Sequence, residues 1–186
     1  MVEELSEQPK IVISTPSAED AVGIQNVFYQ TWLDTYPNEE VGITRDDVED
    51  RFKDSFSAEI LQQRTENLLN PPSGQKFLVA KVGSEVVGVC RVQRGNNSHE
   101  LQGLYVLPEY QGQGVGKLLW QEALEFLGTD KDIFVRAASY NKQAISFYEK
   151  LGFKSTGRQF SEERFKMKSG NIIPEIEMVL KASEIN

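Results

Sequence analysis

Three alternating glycines stand where the chain passes from strand-like to helix-like spacing of apolar residues. The segment Gln111-Gly112-Gln113-Gly114-Val115-Gly116-Lys117 follows Pro108, which ends a run typical of a strand. Glycine permits positive φ and lets a ligand approach the backbone closely. The first N–H groups of a helix are unpaired and point the same way, so they form an anion site. The segment therefore predicts a phosphate-binding loop, to which Lys117 adds a positive charge.

Two widespread phosphate-binding patterns do not fit this loop. A P-loop needs a glycine at the position of Gln111 and a hydroxyl at the position of Leu118. The dinucleotide fingerprint G-x-G-x-x-G needs a third glycine at Lys117 and a parallel βαβ unit. The loop instead follows a predicted antiparallel meander. Both patterns are therefore excluded.

The net charge of the chain argues against a nucleic-acid-binding protein. Of the 186 residues, 20 are Lys or Arg and 28 are Asp or Glu, which gives a net charge of −8. Nucleic acids bind basic surfaces, whereas an acidic surface attracts cationic small molecules or keeps a protein soluble. No apolar run is long enough for a bilayer, and the segment 1–7 lacks the order of a signal peptide. We expect neither nucleic acid nor membrane as a partner, and a cytoplasmic location.

The single cysteine and the single histidine do not predict a metal site. Cys90 excludes an intramolecular disulfide and a multi-cysteine zinc site, and its strand pattern predicts a buried structural residue. His99 follows a hairpin turn, where a solvated ring is expected. No cluster of His, Asp or Glu has metal-ligand spacing.

The elements that position the loop follow from periodicity and from capping residues. Helices are predicted to begin near Ala18, with Val22, Val27 and Phe28 inward, and at Thr44, Ser57, Gly114 and Asn141. Strands are predicted over 11–13, 76–82, 85–94, 99–106, 133–138, 154–165 and 174–180. A meander followed by a strand–helix–strand crossover predicts an α/β (α+β) fold, with helices on both faces of a mixed sheet.

The loop resembles the cofactor-binding signature [QR]-x-x-G-x-[GA] of the GNAT superfamily of N-acetyltransferases. Gln111, Gly114 and Gly116 match it, and the preceding Leu-Tyr-Val-x-Pro-Glu-Tyr is also typical of that superfamily. A later segment resembles its second signature, N-x-x-A-x-x-[FL]-Y-x-x-x-G-[FA]. The matching residues of that segment are Asn141, Ala144, Phe147, Tyr148, Gly152 and Phe153. The resemblance covers roughly residues 76–180.

The resemblance implies one GNAT-like domain over 1–186, with acceptor-side helices in 11–75 and a cofactor-binding core in 76–181. It implies a mostly antiparallel sheet of about seven strands that splays at strand 101–106, where Gly103 suits a bulge. The cofactor is then acetyl-coenzyme A, with its pyrophosphate at 111–117. Its pantetheine pairs with the backbone of Leu104, Tyr105 and Val106. The Val106 N–H is a candidate to polarise the thioester carbonyl.

Tyr148 is the candidate general acid. Attack of an amine on a thioester expels a thiolate, which a tyrosine with a pKa of about 10 is suited to protonate. A tyrosine at this position often has that role in the superfamily, and an aromatic core residue is the alternative. Asn141 has the type and position of a helix cap. The resemblance adds a contact between Asn141 and the pantetheine side.

No general base is evident in the sequence. An amine arrives protonated, so a proton must leave before attack. Polyamine-acetylating members can carry a glutamate where this chain has Gln102, and an amide cannot act as a base. Glu100, His99 and a water chain to bulk solvent stay open as alternatives.

Trp32, Asp34 and Tyr36 are the candidate acceptor-binding residues, because the first helices of this fold cover the acceptor end of the groove. Their Thr-Trp-x-x-Thr-Tyr arrangement is similar to relatives of bacterial polyamine acetyltransferases. Aromatic rings and carboxylates suit a cationic amine, although a core anchor with solvent-facing acids has the same pattern.

The resemblance therefore predicts direct acetyl transfer from acetyl-CoA to a primary amine, either a small cationic amine or a polyamine. The alternatives are another acyl-CoA or acceptor, including a protein N-terminus or lysine, and a non-catalytic CoA-binding sensor. A homodimer through the last strands is common in the superfamily.

Overall fold

One seven-stranded sheet organises the protein. The structure, a computed structural model, describes residues 10–185, so the segment 1–7 lies outside the described residues. The strands are β1 (Ile11–Ser14), β2 (Gln75–Val82), β3 (Glu85–Gln93), β4 (His99–Val106), β5 (Ile133–Ala138), β6 (Lys154–Phe160) and β7 (Glu175–Leu180). Their order across the sheet is β1-β2-β3-β4-β5-β7-β6, and only the β4–β5 pair is parallel. The predicted mixed, mostly antiparallel sheet is confirmed.

Within residues 10–185, five α-helices accompany the sheet, and capping residues define where three of them begin. The helices are α1 (Ala21–Thr35), α2 (Arg45–Phe52), α3 (Ala58–Leu69), α4 (Val115–Leu127) and α5 (Lys142–Lys150). Before α2, the Thr44 hydroxyl accepts from the Asp47 N–H at 3.1 Å, and the Asp47 carboxylate accepts from the Thr44 N–H at 2.9 Å. This reciprocal pair is a capping box. Before α3, the Ser57 hydroxyl accepts a hydrogen bond from the Ile60 N–H.

Helices α1 and α4 pack on opposite faces of the sheet. Leu104 and Tyr105 are consecutive in β4, so their side chains point to opposite faces. Leu104 lies against Gly116 of α4, whereas the Tyr105 ring stacks edge-on against Phe28 of α1, with ring centroids 5.2 Å apart. The predicted placement of helices on both faces is therefore correct.

The sheet opens between β4 and β5. The parallel pairing covers only His99–Leu101 against Ile133–Val135, and beyond it the two strands separate. On the other side of β4, Val92 pairs with Leu101 and Arg91 with Gly103, which leaves Gln102 as an extra residue. This β-bulge increases the local twist of β4. The predicted splay at 101–106 is thus present, with its bulge beside Gly103.

Two details of the predicted elements are wrong. Val22 is 55% exposed, because it lies on the face of α1 that points away from the buried Ile24 and Val27. Strand β6 ends at Phe160 rather than at Phe165. The chain leaves the sheet there because the Phe165 ring packs near Trp32, with centroids 6.3 Å apart. No helix within residues 10–185 combines the length and the apolar character that a membrane span requires.

Candidate active site

A cavity of about 780 Å³ follows the opening between β4 and β5. Helices α1, α4 and α5 border it, and so do the ends of β4, β5 and β7. Most of the side chains and loop positions singled out in the sequence line this cavity: Trp32, Tyr36, Glu100, Leu104, Tyr105, Val106, Gln111, Gly112, Gly114, Gly116, Lys117, Asn141 and Tyr148. The two sequence signatures therefore meet at one place.

The loop before α4 presents free backbone amides. Gly112 and Gly114 have φ of 74° and 85°, a region that glycine tolerates and other residues avoid. In the described part of the chain, no acceptor makes a well-aligned hydrogen bond with the N–H groups of residues 112–117. The first bond across the helix start runs from Leu118 N to Gly114 O at 3.0 Å. Free N–H groups at the positive end of a 13-residue helix form an anion site.

Gln111 fixes the loop to both walls of the cavity. Its Nε2 donates to the Val106 carbonyl oxygen at 3.0 Å, at the end of β4. Its Oε1 accepts from Gln143 Nε2 of α5 at 2.7 Å. Gly116 lies between Leu104 and Phe147, where an added Cβ would come within 3.3 Å of the Phe147 ring. A larger residue at position 116 would therefore push α4 away from β4 and α5.

The backbone of β4 offers two residues to the opening, not three. Leu107 N donates to Val87 O at 2.9 Å, on the β3 side. Because backbone groups alternate along a strand, those of Tyr105 also face β3, whereas those of Leu104 and Val106 face the opening. Leu104 and Val106 thus have the orientation expected for backbone contacts to pantetheine. Tyr105 lines the cavity with its side chain instead.

Tyr148 belongs both to the hydrophobic core and to the cavity wall. Its side chain is only 5% exposed, and it packs beside Phe147 and Phe153. Burial raises the pKa of its hydroxyl well above the ordinary value, and the nearby Tyr105 and Cys90 raise it further. The phenol therefore stays protonated throughout the neutral range. A protonated, water-poor hydroxyl on the cavity wall has the properties of a proton donor.

Asn141 caps α5 as its residue type predicts. Its Oδ1 accepts from the Ala144 N–H at 3.0 Å. The Asn141 side chain also lines the cavity. Its capping bond occupies only the carbonyl side of the carboxamide, so a contact between its NH₂ group and a ligand is compatible with the cap.

Aromatic residues form the opposite end of the cavity. Trp32 is 7% exposed and lies 4.4 Å from the Tyr36 ring, centroid to centroid. Burial raises the pKa of Tyr36 well above the usual range, and Tyr105, Tyr148 and Glu175 add to the shift. Tyr36, Tyr105, Tyr148 and Glu175 all line the cavity.

Three residues predicted for the site do not bring their side chains to the cavity. Asp34 is exposed on the outer side of α1, because it is two residues from the inward-facing Trp32. Gln113 is exposed and its Nε2 donates to Glu109 O at 2.7 Å. Val115 is buried in the core as the first residue of α4. Gln113 and Val115 can contribute their backbone N–H groups only, whereas Asp34 has no access to the cavity.

His99 is buried, so its predicted position in solvent is wrong. It is 3% exposed, Nδ1 accepts from the Gly95 N–H at 3.3 Å, and Nε2 lies 3.4 Å from Asp130 Oδ1. These contacts lie at the closed end of the β4–β5 pair and outside the cavity. His99 is therefore a structural residue rather than a base. Cys90 is buried as predicted, and burial raises its pKa to about 12.

The cavity contains more basic than acidic side chains, which the sequence did not reveal. Among the residues that line it, those with a positive charge are Arg51, Arg64, Arg91, Arg136, Arg164 and Lys117. The acidic ones are Glu100 and Glu175. On a chain with a net charge of −8, this local excess of positive charge is a feature of the site rather than of the whole surface.

Glu175 is a second feature that sequence reasoning missed. It begins β7, lines the cavity and is only 8% exposed. In the sequence Glu175 alternates with apolar residues. An acid on the solvent-facing side of a strand has the same pattern, so the sequence does not distinguish the two positions. The other cavity acid, Glu100, accepts from Gln102 Nε2 at 3.4 Å, and Gln102 Oε1 accepts from Gln75 Nε2 at 2.9 Å.

The arrangement is chemically suited to an anionic, elongated ligand with its reactive end near Tyr148. Free amides lie at one end, and gap-facing backbone groups of Leu104 and Val106 continue from them. Within residues 10–185, no group of three or more His, Cys, Asp or Glu residues is placed to hold a metal ion.

Comparisons with known proteins agree with this geometry. A family model described as an acetyltransferase (GNAT) domain matches residues 32–168. The fold is similar to that of the PaiA N-acetyltransferase from Thermoplasma acidophilum in complex with coenzyme A, with a TM-score of 0.66 and 25% identity. That similarity covers 89% of this chain and 98% of the other.

Two curated relatives are similar over shorter stretches. N-acetyltransferase 8B of Mus musculus is 31% identical over 95 residues, which are 47% of this chain and 41% of the relative. Peptidyl-lysine N-acetyltransferase YjaB of Salmonella typhimurium is 38% identical over 58 residues, 31% of this chain and 38% of the relative. The chain thus matches less than half of the length of these relatives.

Proposed function

The chain belongs to the GNAT acetyltransferase family, and on that premise we propose that it transfers an acetyl group directly from acetyl-coenzyme A to a primary amine. The resemblance carried by the two sequence signatures is confirmed by the family match. The observation that supports the proposal best is the row of free N–H groups at 112–117. This row opens onto a cavity that extends along the gap between β4 and β5 as far as Tyr148.

The residues divide into an anchor and a reacting end. Residues 111–117 hold the pyrophosphate through backbone N–H groups, and Lys117 adds a positive charge. The gap-facing backbone of Leu104 and Val106 holds the pantetheine as a neighbouring strand would. Bound acetyl-CoA supplies the activated acetyl group. The Val106 N–H stabilises the negative charge that develops on the carbonyl oxygen, and Tyr148 protonates the departing thiolate.

The acceptor enters at the aromatic end of the cavity. Trp32, Tyr36 and Tyr105 offer ring faces and hydroxyls there, and Glu175 offers a carboxylate. A small cationic amine or a polyamine fits this set through cation–π and ionic contacts. Asp34 is no longer part of the proposed site, because it faces solvent.

A second class of acceptor is favoured by the environment of Arg51. Its guanidinium lies 5.0 Å from the centre of the Trp32 ring and donates to the Arg164 carbonyl oxygen at 2.9 Å. Over residues 10–185, no carboxylate pairs with it. An exposed guanidinium at the cavity wall with free N–H groups is suited to a carboxylate or a peptide carbonyl. This favours an acceptor that carries such a group beside its amine, as a peptide lysine does.

Thiol release from acetyl-CoA tests both acceptor classes. The panel is spermidine, ethylenediamine, ethanolamine and a short peptide with one lysine and a free N-terminus. Turnover of spermidine well above that of the peptide supports the cationic class, and the reverse order supports the peptide class. If acetyl-CoA binds but no amine releases thiol, the protein is a CoA-binding sensor and the proposed transfer is wrong. The cytoplasmic location and the homodimer stay predictions.

A further inference from the structure

Glu175 lines the cavity, and one of its carboxylate oxygens is unpaired. The residue is 8% exposed, and its buried Oε2 has no hydrogen-bond partner among the described residues. A buried carboxylate without a partner loses its hydration without compensation, which is costly. Such groups occur where a catalytic role, a bound ion or a bound water accounts for them. Glu175 therefore needs an explanation that packing alone does not provide.

The position of Glu175 is at the open end of the gap. It pairs with Ala138 of β5 and with Phe160 of β6, so it lies where β5 has already separated from β4. Its charge contributes to the raised pKa of Tyr36, and so does Tyr148. Glu175, Tyr36 and Tyr148 all line the same cavity.

The charged groups around Glu175 do not neutralise it. Burial raises its pKa above the ordinary value, and Glu162 and Glu100 add to the rise, whereas Arg164 and Arg136 oppose it. Both arginines form ion pairs with Glu162, so their charge is shared with another acid. A carboxylate with increased proton affinity is better matched to taking a proton from an ammonium group.

Glu100, the base candidate from the sequence, is less suited to this role. It lies where β4 still pairs with β5, opposite Phe134, at the closed end of the gap. Its Oε2 also accepts from Gln102, whose own carbonyl is engaged by Gln75. Glu100 lines the cavity too, but it is hydrogen-bonded and lies at the closed end of the gap, whereas Glu175 has an unpaired oxygen and lies at the open end.

We propose that Glu175 is the general base of the reaction, and that it binds the acceptor as a primary ammonium before taking its proton. This inference rests on the proposed function. The ammonium gives one proton to the Glu175 carboxylate, and the neutral nitrogen attacks the acetyl carbonyl carbon. The C–N bond forms, the C–S bond breaks, and the thiolate takes the Tyr148 proton. The second proton of the nitrogen returns to Tyr148 through solvent, and Glu175 releases its proton to bulk water.

Glu175→Gln tests this role, because it keeps the shape and removes the base. The probe is the amine of the panel that the wild type acetylates best. At pH 7 we expect kcat to fall at least about 100-fold, while the Kd for acetyl-CoA changes less than about twofold. Raising the pH supplies neutral amine from solution. The variant should therefore recover about tenfold in kcat/KM for the amine per pH unit between pH 7 and 9, while the wild type changes little.

Two further variants separate the base from general effects of charge. Glu163→Gln removes an acid whose side chain is 77% exposed, outside the cavity, and should leave kcat and its pH profile unchanged. Glu100→Gln tests the rival base. If Glu175→Gln does not fold, Glu175→Asp keeps the carboxylate and should retain the flat wild-type pH profile at a lower kcat.

The outcomes distinguish this inference from the proposed function. Turnover by the wild type together with loss and alkaline recovery in Glu175→Gln supports both. If the wild type turns over and the Glu175→Gln variant has unchanged activity, the role of Glu175 is overturned and the function stands. The same holds if the loss and the alkaline recovery of activity occur in Glu100→Gln instead. A pH-independent loss in Glu175→Gln also overturns it, because that is a structural effect. Absence of turnover by the wild type overturns the function itself.

Discussion

The Tyr140 hydroxyl donates a hydrogen bond to the backbone carbonyl oxygen of Tyr36 at 2.9 Å, across 104 positions of the chain. It joins the end of α1, on the proposed acceptor side, to the loop that leads into α5, on the proposed cofactor side. Burial raises the pKa of Tyr140 to about 12, so the donor proton is present throughout the neutral range. The bond therefore holds the two sides of the cavity at a fixed separation.

Tyr140→Phe should destabilise the protein by about 1 kcal/mol, the net value of one hydrogen bond. For a chain of this size, that corresponds to a loss of about 2–4 °C in Tm. Thermal unfolding measures it, with Tyr110→Phe as the control. The Tyr110 hydroxyl bonds to Glu85 at an exposed position, so its removal should cost less. Equal losses in both variants would contradict the bracing role of Tyr140.

Gly114→Ala should weaken acetyl-CoA binding as well as stability. Position 114 has φ of 85°, where an alanine costs about 1–2 kcal/mol, and relief of that strain moves the free amides. We expect about a tenfold rise in Kd by calorimetry. Gly83→Ala is the matched control, because Gly83 has φ of 61°, open space around it and a position outside the cavity. It should lose similar stability and keep its affinity.

Tyr148→Phe should lower kcat by about 10²–10⁴-fold, the usual contribution of a general acid. The Kd for acetyl-CoA should stay within about twofold, because the hydroxyl acts in the transition state. Steady-state kinetics and calorimetry measure the two quantities. Unchanged turnover would reassign Tyr148 to a purely structural role in the core.

The pH profile of the wild type gives an independent check on Tyr148. A general acid must be protonated, so activity is lost when the pH rises through its pKa. Burial raises that pKa above the ordinary value. The alkaline limb of kcat should therefore lie above pH of about 10, the ordinary range of tyrosine. If the wild type has an alkaline limb at or below that pH, and Tyr148→Phe lacks it, the pKa of the Tyr148 hydroxyl is not raised.

Gln25→Met should stabilise the free protein. Gln25 is 1% exposed, and neither atom of its carboxamide has a hydrogen-bond partner in the described residues. An unpaired buried group costs about 1–3 kcal/mol, which an apolar side chain of similar shape avoids. Denaturant unfolding should show a gain in this range, against a change within about 0.5 kcal/mol for the exposed Gln62→Met on α3. No gain at position 25 would indicate a buried water that pairs with the carboxamide.

Most helices and strands could be predicted because their signals are local. Thr44 and Ser57 cap their helices through residues three positions away, and a sequence shows such neighbours directly. His99 could not be placed, because its burial depends on distant parts of the chain, whereas the exposure of Val22 follows from its position on the outer face of α1. His99 is enclosed by the backbone of Gly95 and by Asp130, which arrives from the far end of α4.

The proposed cofactor half and acceptor half of the site also differ in how far local sequence signals predict them. The cofactor half comes from two continuous segments, 104–117 and 141–148, so its residues could be named from the sequence. The proposed acceptor half combines α1, Arg51 of α2, Glu175 of β7 and the pair Arg164 and Phe165. These elements meet only through the sheet order, in which β7 lies between β5 and β6. An acid inside a central strand therefore looks like a surface residue until the topology is known.

The account depends most on the free amides at 112–117, and calorimetry with two ligands tests them directly. Acetyl-CoA and acetyl-pantetheine share the thioester and the pantetheine, but only acetyl-CoA has the pyrophosphate. Two charge-assisted hydrogen bonds, each worth about 1.5–3 kcal/mol, correspond to an affinity ratio of at least about 100. We predict that acetyl-CoA binds more tightly by at least this factor. Equal affinities, or no binding of acetyl-CoA at millimolar concentration, would contradict the account.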